Sequence, residues 1–278
     1  MNAKKVCGKV GMYAFIIVFV LVILLPFVWL LLGSFKSMRE LTVLPLHLFP
    51  SEWRWDNYAE VFEVQSNFGW YIVNSLFSAG LATILIIIVG SMASYSLARV
   101  DIKGKKLVMG ALLSITLLPP ITLLNPIYLM LQSIGLLNSV VGLALALTAI
   151  ELPMAVWYLV GFFQSVPYEM EESAMIDGAS MTVMFTRILL PLIAPGVFTI
   201  SIMTFINAWN NYLFAQVFNP LPAARTVTVA LTLFQVDNQL PWELLSAAAI
   251  IVTLPLILAV LILQKRIISG MMDGGVKG

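Results

Sequence analysis

Charge is what this sequence has least of. Only 10% of its 278 residues are Asp, Glu, Lys or Arg, whereas a soluble domain of this size carries about a quarter. Fifteen basic and 14 acidic residues leave a net charge of +1, which argues against nucleic acid, a partner that demands a concentrated basic patch. Cys7 is the one cysteine, so no internal disulfide can form. With a single histidine beside it, no metal site of the usual kind can be assembled. Nothing matches GxxxxGK[ST]: Gly8-Lys9 and Gly104-Lys105 lack the upstream glycine and the following Ser or Thr, so the chain brings no ATP site of its own. HExxH and GxSxG are also missing, which argues against an intramembrane enzyme.

What is abundant is apolar: 60% of the residues are hydrophobic and the mean hydropathy is +0.98. A bilayer core is crossed by about twenty such residues. Uncharged runs cover residues 10–35, 66–98, 107–150, 152–164, 192–224 and 244–264. Lys4, Lys5 and Lys9 precede the first, as in a secretory signal. The run is too long for one and has no A-x-A site, so a retained first helix is expected. The run 107–150 exceeds one helix and breaks near 132–139, where Gln132, Ser133, Gly135, Asn138 and Ser139 cluster. The expectation is an all-α integral membrane protein, one domain over 1–278. Its six transmembrane helices fall near 11–34, 71–98, 108–131, 139–164, 194–217 and 244–264.

Lys and Arg concentrate on the cytoplasmic side of membrane proteins. With the N-terminus inside, Lys4, Lys5, Lys9, Arg99, Lys103, Lys105, Lys106, Arg187, Lys265, Arg266 and Lys277 are inside. Lys36, Arg39, Arg54 and Arg225 are outside. Eleven against four makes both termini and the segment 166–195 cytoplasmic. The outer segment 36–70 mixes Trp53, Trp55, Tyr58, Phe62, Phe68 and Trp70 with acidic residues. It suits an interfacial anchor, with contact to an external partner as the alternative. Asp56 or Asn57 is expected to cap a short helix over 58–64. His47, alone here, reads as structural or solvated.

The segment 166–195 (VPYEMEESAMIDGASMTVMFTRILLPLIAP) is the one long polar interruption. Pro167 suits a first helical turn, and Glu169, Glu171 and Glu172 complement the positive helix end. Asp177-Gly178 terminates that helix. Ala174 and Gly178 lie four apart on one face and would permit another backbone to approach. A second helix is expected from Ser180 or Thr182 to Pro191. Long ordered loops tend to be functional, so this one reads as a docking element; an ordinary connecting loop is the alternative. The fourteen methionines look scattered, as core packing would leave them.

Glu172-Ser173-Ala174, three residues, Gly178, nine residues, Ile188-Leu189-Leu190-Pro191 resembles the EAA loop of bacterial ABC-importer permeases. Ser173 in place of the first alanine is the one departure. Asn74-Ser75, residues 93–99 (ASYSLAR), 207–213 (NAWNNYL) and 275–278 (GVKG) are similar to the carbohydrate-uptake branch of maltose and trehalose type. The resemblance implies the ABC importer type I permease fold in a bacterial inner membrane, with the loop as a cytoplasmic helix–turn–helix that couples to an ATPase. Glu169, Glu171, Glu172, Ser173, Ala174, Asp177, Gly178 and Ala179 would make that contact. The glycine-rich tail would add Val276 and Lys277. It further implies a second, homologous permease, two ATPase subunits that carry the ATP and Mg, an external substrate-binding protein and a sugar substrate, an oligosaccharide, imported by alternating access.

Inside the membrane, Glu151 lies about 18 Å along the fourth span, and Pro153 should kink the helix there. An intramembrane carboxylate usually faces a cavity or a partner. It either lines the path, or is protonated, or pairs with a polar residue of another helix. Asn207, Asn210 and Asn211, spaced i, i+3 and i+4, would share one face of the fifth span. They offer amides to sugar hydroxyls or to other helices, and Asn125-Pro126 is a similar site. An ion-coupled carrier or a channel is the rival function. Such carriers place several ionisable groups in their spans, and here only Glu151 qualifies.

Overall fold

The computed structural model describes residues 3–45, 47–234 and 240–275, and every regular element among them is helical. In order these are α1 (Ala3–Gly33), α2 (Met38–Thr42), α3 (Asp56–Val64), α4 (Phe68–Arg99), α5 (Lys105–Thr116), α6 (Ile121–Ser133) and α7 (Val140–Ser165). There follow α8 (Glu169–Ile176), α9 (Met181–Val183), a π-helix π1 (Met184–Leu189), α10 (Leu190–Leu192) and α11 (Ala194–Trp209). The last are α12 (Leu213–Phe218), α13 (Val227–Leu231) and α14 (Trp242–Gly275). Two compact units contain them: Met1–Phe68 with Leu231–Leu254, and Gly69–Ala230 with Pro255–Gly278.

Among the described residues, four helices are long and apolar enough to cross a membrane: Gly11–Gly33, Phe68–Arg99, Val140–Ser165 and Trp242–Ile262. Two bent pairs make the number up to six if each is one span. Lys105–Thr116 turns into Ile121–Ser133 at 100°, and Met181–Leu192 into Ala194–Trp209 at 76°. The stretch expected as one helix over 108–131 is therefore two. Pro119 and Pro120 lie at the break, and neither has an N–H to carry the helical ladder through. Pro195 acts the same way in the first turn of α11.

In the first unit the chain leaving α1 is folded back by side-chain hydrogen bonds. Ser37 and Glu40 form a reciprocal capping box on α2. The Glu40 carboxylate also accepts the Ser51 N–H at 2.7 Å. Bonds from Ser51 first, and then from Ser37, hold its pKa down at about 2. Neither Asp56 nor Asn57 caps α3 as expected. The helix starts at Asp56 after Trp55, and Asp56 pairs with Arg54 at 2.6 Å. Asn57 is buried, where its amide donates to the carbonyls of Ser34 (2.8 Å) and Lys36 (2.9 Å). Those carbonyls lie just past the end of α1 and need a donor. Phe35 packs among Trp53, Trp55 and Tyr58, with ring centroids 4.6–5.4 Å apart. His47 is exposed, and its carbonyl accepts the buried Lys36 ammonium at 2.5 Å.

The second unit is built around α7. Eleven of its side chains, from Gly142 to Phe163, are buried, and it packs against α5, α11 and α12. A helix buried on most sides must be apolar all round. Close approach depends on two small residues. A Cβ on Gly142 would collide with the Leu136 carbonyl oxygen, and one on Gly196 would enter the Phe162 ring. Small residues of this kind let helix backbones pack tightly in membranes. The Leu136 carbonyl, being backbone, cannot swing aside. Gly142→Ala should therefore cost about 1–3 kcal/mol, measured as a lower melting temperature of the detergent-purified protein. Gly161→Ala, whose Cβ meets nothing within 4 Å, should leave that temperature unchanged or slightly higher.

Candidate functional site

The segment after α7 is shaped by its own caps. Glu169, Glu171 and Glu172 fall in the first turn of α8, where carboxylates favour the helix dipole. The helix ends at Asp177. Gly178 follows at φ +77°, its N–H donating to the Met175 carbonyl (3.0 Å), and Ala179 N–H donates to the Ala174 carbonyl (2.9 Å). This pair of bonds is a Schellman motif, which needs a residue at ease in the left-handed region. Ser180 then caps α9, its hydroxyl accepting the Val183 N–H at 3.4 Å.

One charge pair fixes this element. Glu171, 1% exposed, makes an ion pair through Oε1 with Nε of Arg99, the last residue of α4. Arg99 Nη2 also donates to the Val166 carbonyl at 2.7 Å, and the guanidinium lies over the Tyr168 ring at 5.7 Å. Two charges taken out of water persist only when paired and further hydrogen-bonded, and removing one partner alone costs about 3–5 kcal/mol. Glu171 was expected to face an ATPase. It faces inward, because α4 ends beside the first turn of α8 with a cation to satisfy.

Ala174 is corrected in the same way. It is buried with Phe163, Val166, Met184, Leu189 and Ile193, so its small size serves the chain's own core. Ala179 packs against that cluster too. Glu169, Glu172, Ser173, Asp177 and Gly178 are exposed, with the Ser173 hydroxyl turned back to the Glu169 carbonyl at 2.8 Å. Beside them lie exposed apolar side chains that reading by charge missed: Met170, Met175, Met181 and Ile176, the last 85% exposed. These methionines are not core packing. Apolar groups clustered on a polar element mark a surface that meets a partner, and adaptable methionines suit such surfaces. Val276 and Lys277 lie outside the described residues.

A second feature lies deeper in the same unit. A cavity of about 230 Å³ is lined from α7 by Glu151, Met154, Ala155 and Tyr158, and from α11 by Ile200, Met203, Thr204 and Asn207. Asn207 Nδ2 donates to Glu151 Oε2 at 3.2 Å. Thr204 turns its hydroxyl to the carbonyls of Ile200 and Ser201. The three asparagines do not share a helix face. α11 stops at Trp209, so Asn210 is its C-cap. Asn211 Oδ1 accepts the Phe214 N–H at 3.1 Å, in the first turn of α12. Among them only Asn207 lines the cavity, and Asn125, exposed on α6, does not. Met154, Tyr158 and Met203 went unnoticed in the sequence. The signal was the spacing of 151, 154 and 158 and of 200, 203, 204 and 207, one helical face each.

Apolar helices long enough to cross a bilayer, a polar cavity between two of them and a polar element tied to their ends define a multi-pass membrane transport subunit. Residues 86–273 match the model of the binding-protein-dependent transport system inner membrane component family, and the chain belongs to that family. It is 37% identical to the sulfoquinovosyl glycerol transport system permease protein SmoH of Agrobacterium fabrum, over 92% of this chain and 89% of that one. It is 34% identical to the trehalose/maltose transport system permease protein MalG of Thermococcus litoralis, over 94% of both. Its fold matches a chain of a bacterial ABC transporter involved in the import of the acidic polysaccharide alginate. There the TM-score is 0.82 at 19% identity, over 95% of this chain and 98% of that chain. The fold is that of an ABC-importer permease.

Gly178 is constrained by its left-handed backbone. Its Cβ position is open, so the backbone role predicts the outcome. Gly178→Val should lose at least about 1–2 kcal/mol, while Gly178→Asn, a residue that tolerates this conformation, should keep most of the stability. Melting curves of the two variants decide. Equal losses would point to size instead.

Proposed function

We propose that the chain, as one transmembrane permease domain, is the membrane subunit of an ATP-driven ABC importer for a carbohydrate, working by alternating access. The observation that carries this reading is topological. The cavity walls are α7 and α11, and these are the helices that enter and leave the segment 166–193. A force on that segment therefore reaches both walls directly. The family and the sugar-named relatives support the same reading, and the cavity offers a carboxylate, an amide and a phenol to hydroxyl groups.

In this account the Lys and Arg bias places both termini and α8 in the cytoplasm. There Glu169, Glu172, Ser173, Asp177 and the exposed Met and Ile side chains meet one of two ATPase subunits, which hold ATP and Mg. Val276 and Lys277 add a tail contact. A second, homologous permease completes the path, and an external binding protein delivers the sugar. Closure of the ATPases pushes α8, and the bundle changes the side to which the cavity opens. Asn207 and Glu151 exchange their mutual hydrogen bond for bonds to sugar hydroxyls as substrate passes.

The test is uptake of a labelled disaccharide panel into vesicles holding the assembled transporter. Uptake should require ATP and survive a protonophore. Asn207→Leu should lower it about threefold to tenfold, the value of one lost hydrogen bond, with the complex still assembled. Uptake that proceeds without ATP and collapses with the protonophore would overturn the reading in favour of an ion-coupled carrier.

A further inference from the structure

The cavity between α7 and α11 is chemically one-sided. Its polar lining consists of Glu151, Tyr158, Thr204 and Asn207, and it contains no cationic side chain. Among the described residues the ion pairs are Arg54–Asp56 and Arg99–Glu171, so Glu151 has none. The cations of this unit whose side chains are described lie at helix ends, in π1 and in connections. Arg99 is engaged by Glu171 at the end of α4, Lys103, Lys105 and Lys106 are at the start of α5, and Arg187 is in π1. Arg225 is turned to the Pro220 carbonyl at 2.5 Å. Among the described residues, the hydrogen bond to the Glu151 carboxylate comes from the neutral Asn207 amide, which orients it without cancelling its charge.

We propose that Glu151 screens the path by charge, admitting neutral polyhydroxy substrates and rejecting anionic ones such as uronates, sulfonates and sugar phosphates. This rests on the reading of the cavity as part of the substrate path. A carboxylate only accepts hydrogen bonds. A neutral saccharide meets it with hydroxyl donors, whereas an anionic group brings a like charge and no proton. Like charges in a partly desolvated site repel more strongly than in water, and rejection of the wrong ligand by an unfavourable pair is a common source of specificity. The alternative is a carboxyl group that merely holds Asn207 in place.

Met203 makes the cavity testable without knowing the sugar, because it lines the space and is 47% exposed. In the assembled transporter, Met203→Cys on a Cys7→Ser background is exposed to a neutral, a trimethylammonium and a sulfonate methanethiosulfonate reagent. Rates are normalised to a free thiol in solution. The cationic reagent should be preferred over the anionic one by at least about tenfold, and Glu151→Gln should bring that ratio close to one. A ratio unchanged by Glu151→Gln, whether large or near one, would overturn the charge screen while leaving the path intact. Failure of the neutral reagent to reach Met203→Cys in any nucleotide state would overturn the screen and the substrate-path reading together.

Discussion

The structure depends on a charge pair where charge is scarcest. Arg99 ends a 32-residue helix and meets Glu171 in the first turn of α8. Both are buried enough that neither can be left alone without a large penalty. The Val166 carbonyl and the Tyr168 ring complete the surroundings of the guanidinium. The pair therefore specifies where α8 sits relative to α4, an outcome that apolar contacts alone would leave less defined. With Ala174 inserted into the cluster of Phe163, Met184 and Leu189, α8 is docked on its own chain along one side. Met170, Met175 and Ile176 of the same helix stay exposed.

From that anchor the consequences run inward. The segment holding α8 is continuous with α7 at one end and, through π1 and the 76° turn, with α11 at the other. α7 and α11 are held close because Gly196 fits under Phe162. A π-helix beside a sharp turn is a common feature of functional segments. It places an adjustable stretch between the docked element and the cavity wall. Of the polar groups on that wall, Asn207 bonds to Glu151 and Thr204 bonds to carbonyls of its own helix.

Much of this was legible in the residues, and the failures share a cause. Long uncharged runs must be helices in a bilayer, since no other local structure satisfies the backbone there, so the helical class could be read from composition. The turn at Gly178 could be read because a left-handed C-cap has a definite sequence signature. Direction was harder. Glu171 and Glu172 are neighbours with the same chemistry, yet one is buried and one exposed. The deciding partner, Arg99, lies 72 positions earlier in the chain, and no local pattern points to it. Asn210 and Asn211 looked like a continuation of a helical face. The helix ends at Trp209 because asparagine side chains can satisfy backbone groups themselves. The adjacent prolines 119 and 120 lie inside the same uncharged run, and a reading by uncharged length alone passes over them.

The central claim is that α8 and the end of α4 move as one body because Arg99 and Glu171 bind them. The direct measurement is the distance between spin labels at Val100→Cys and Ser173→Cys on a Cys7→Ser background, both exposed in this chain by itself, in the assembled transporter with and without bound nucleotide. The account predicts a single narrow distance that does not change between nucleotide states and that broadens when Arg99→Met is added. A distance that shifts with nucleotide while the ion pair is intact, or one that stays equally narrow in Arg99→Met, would contradict it.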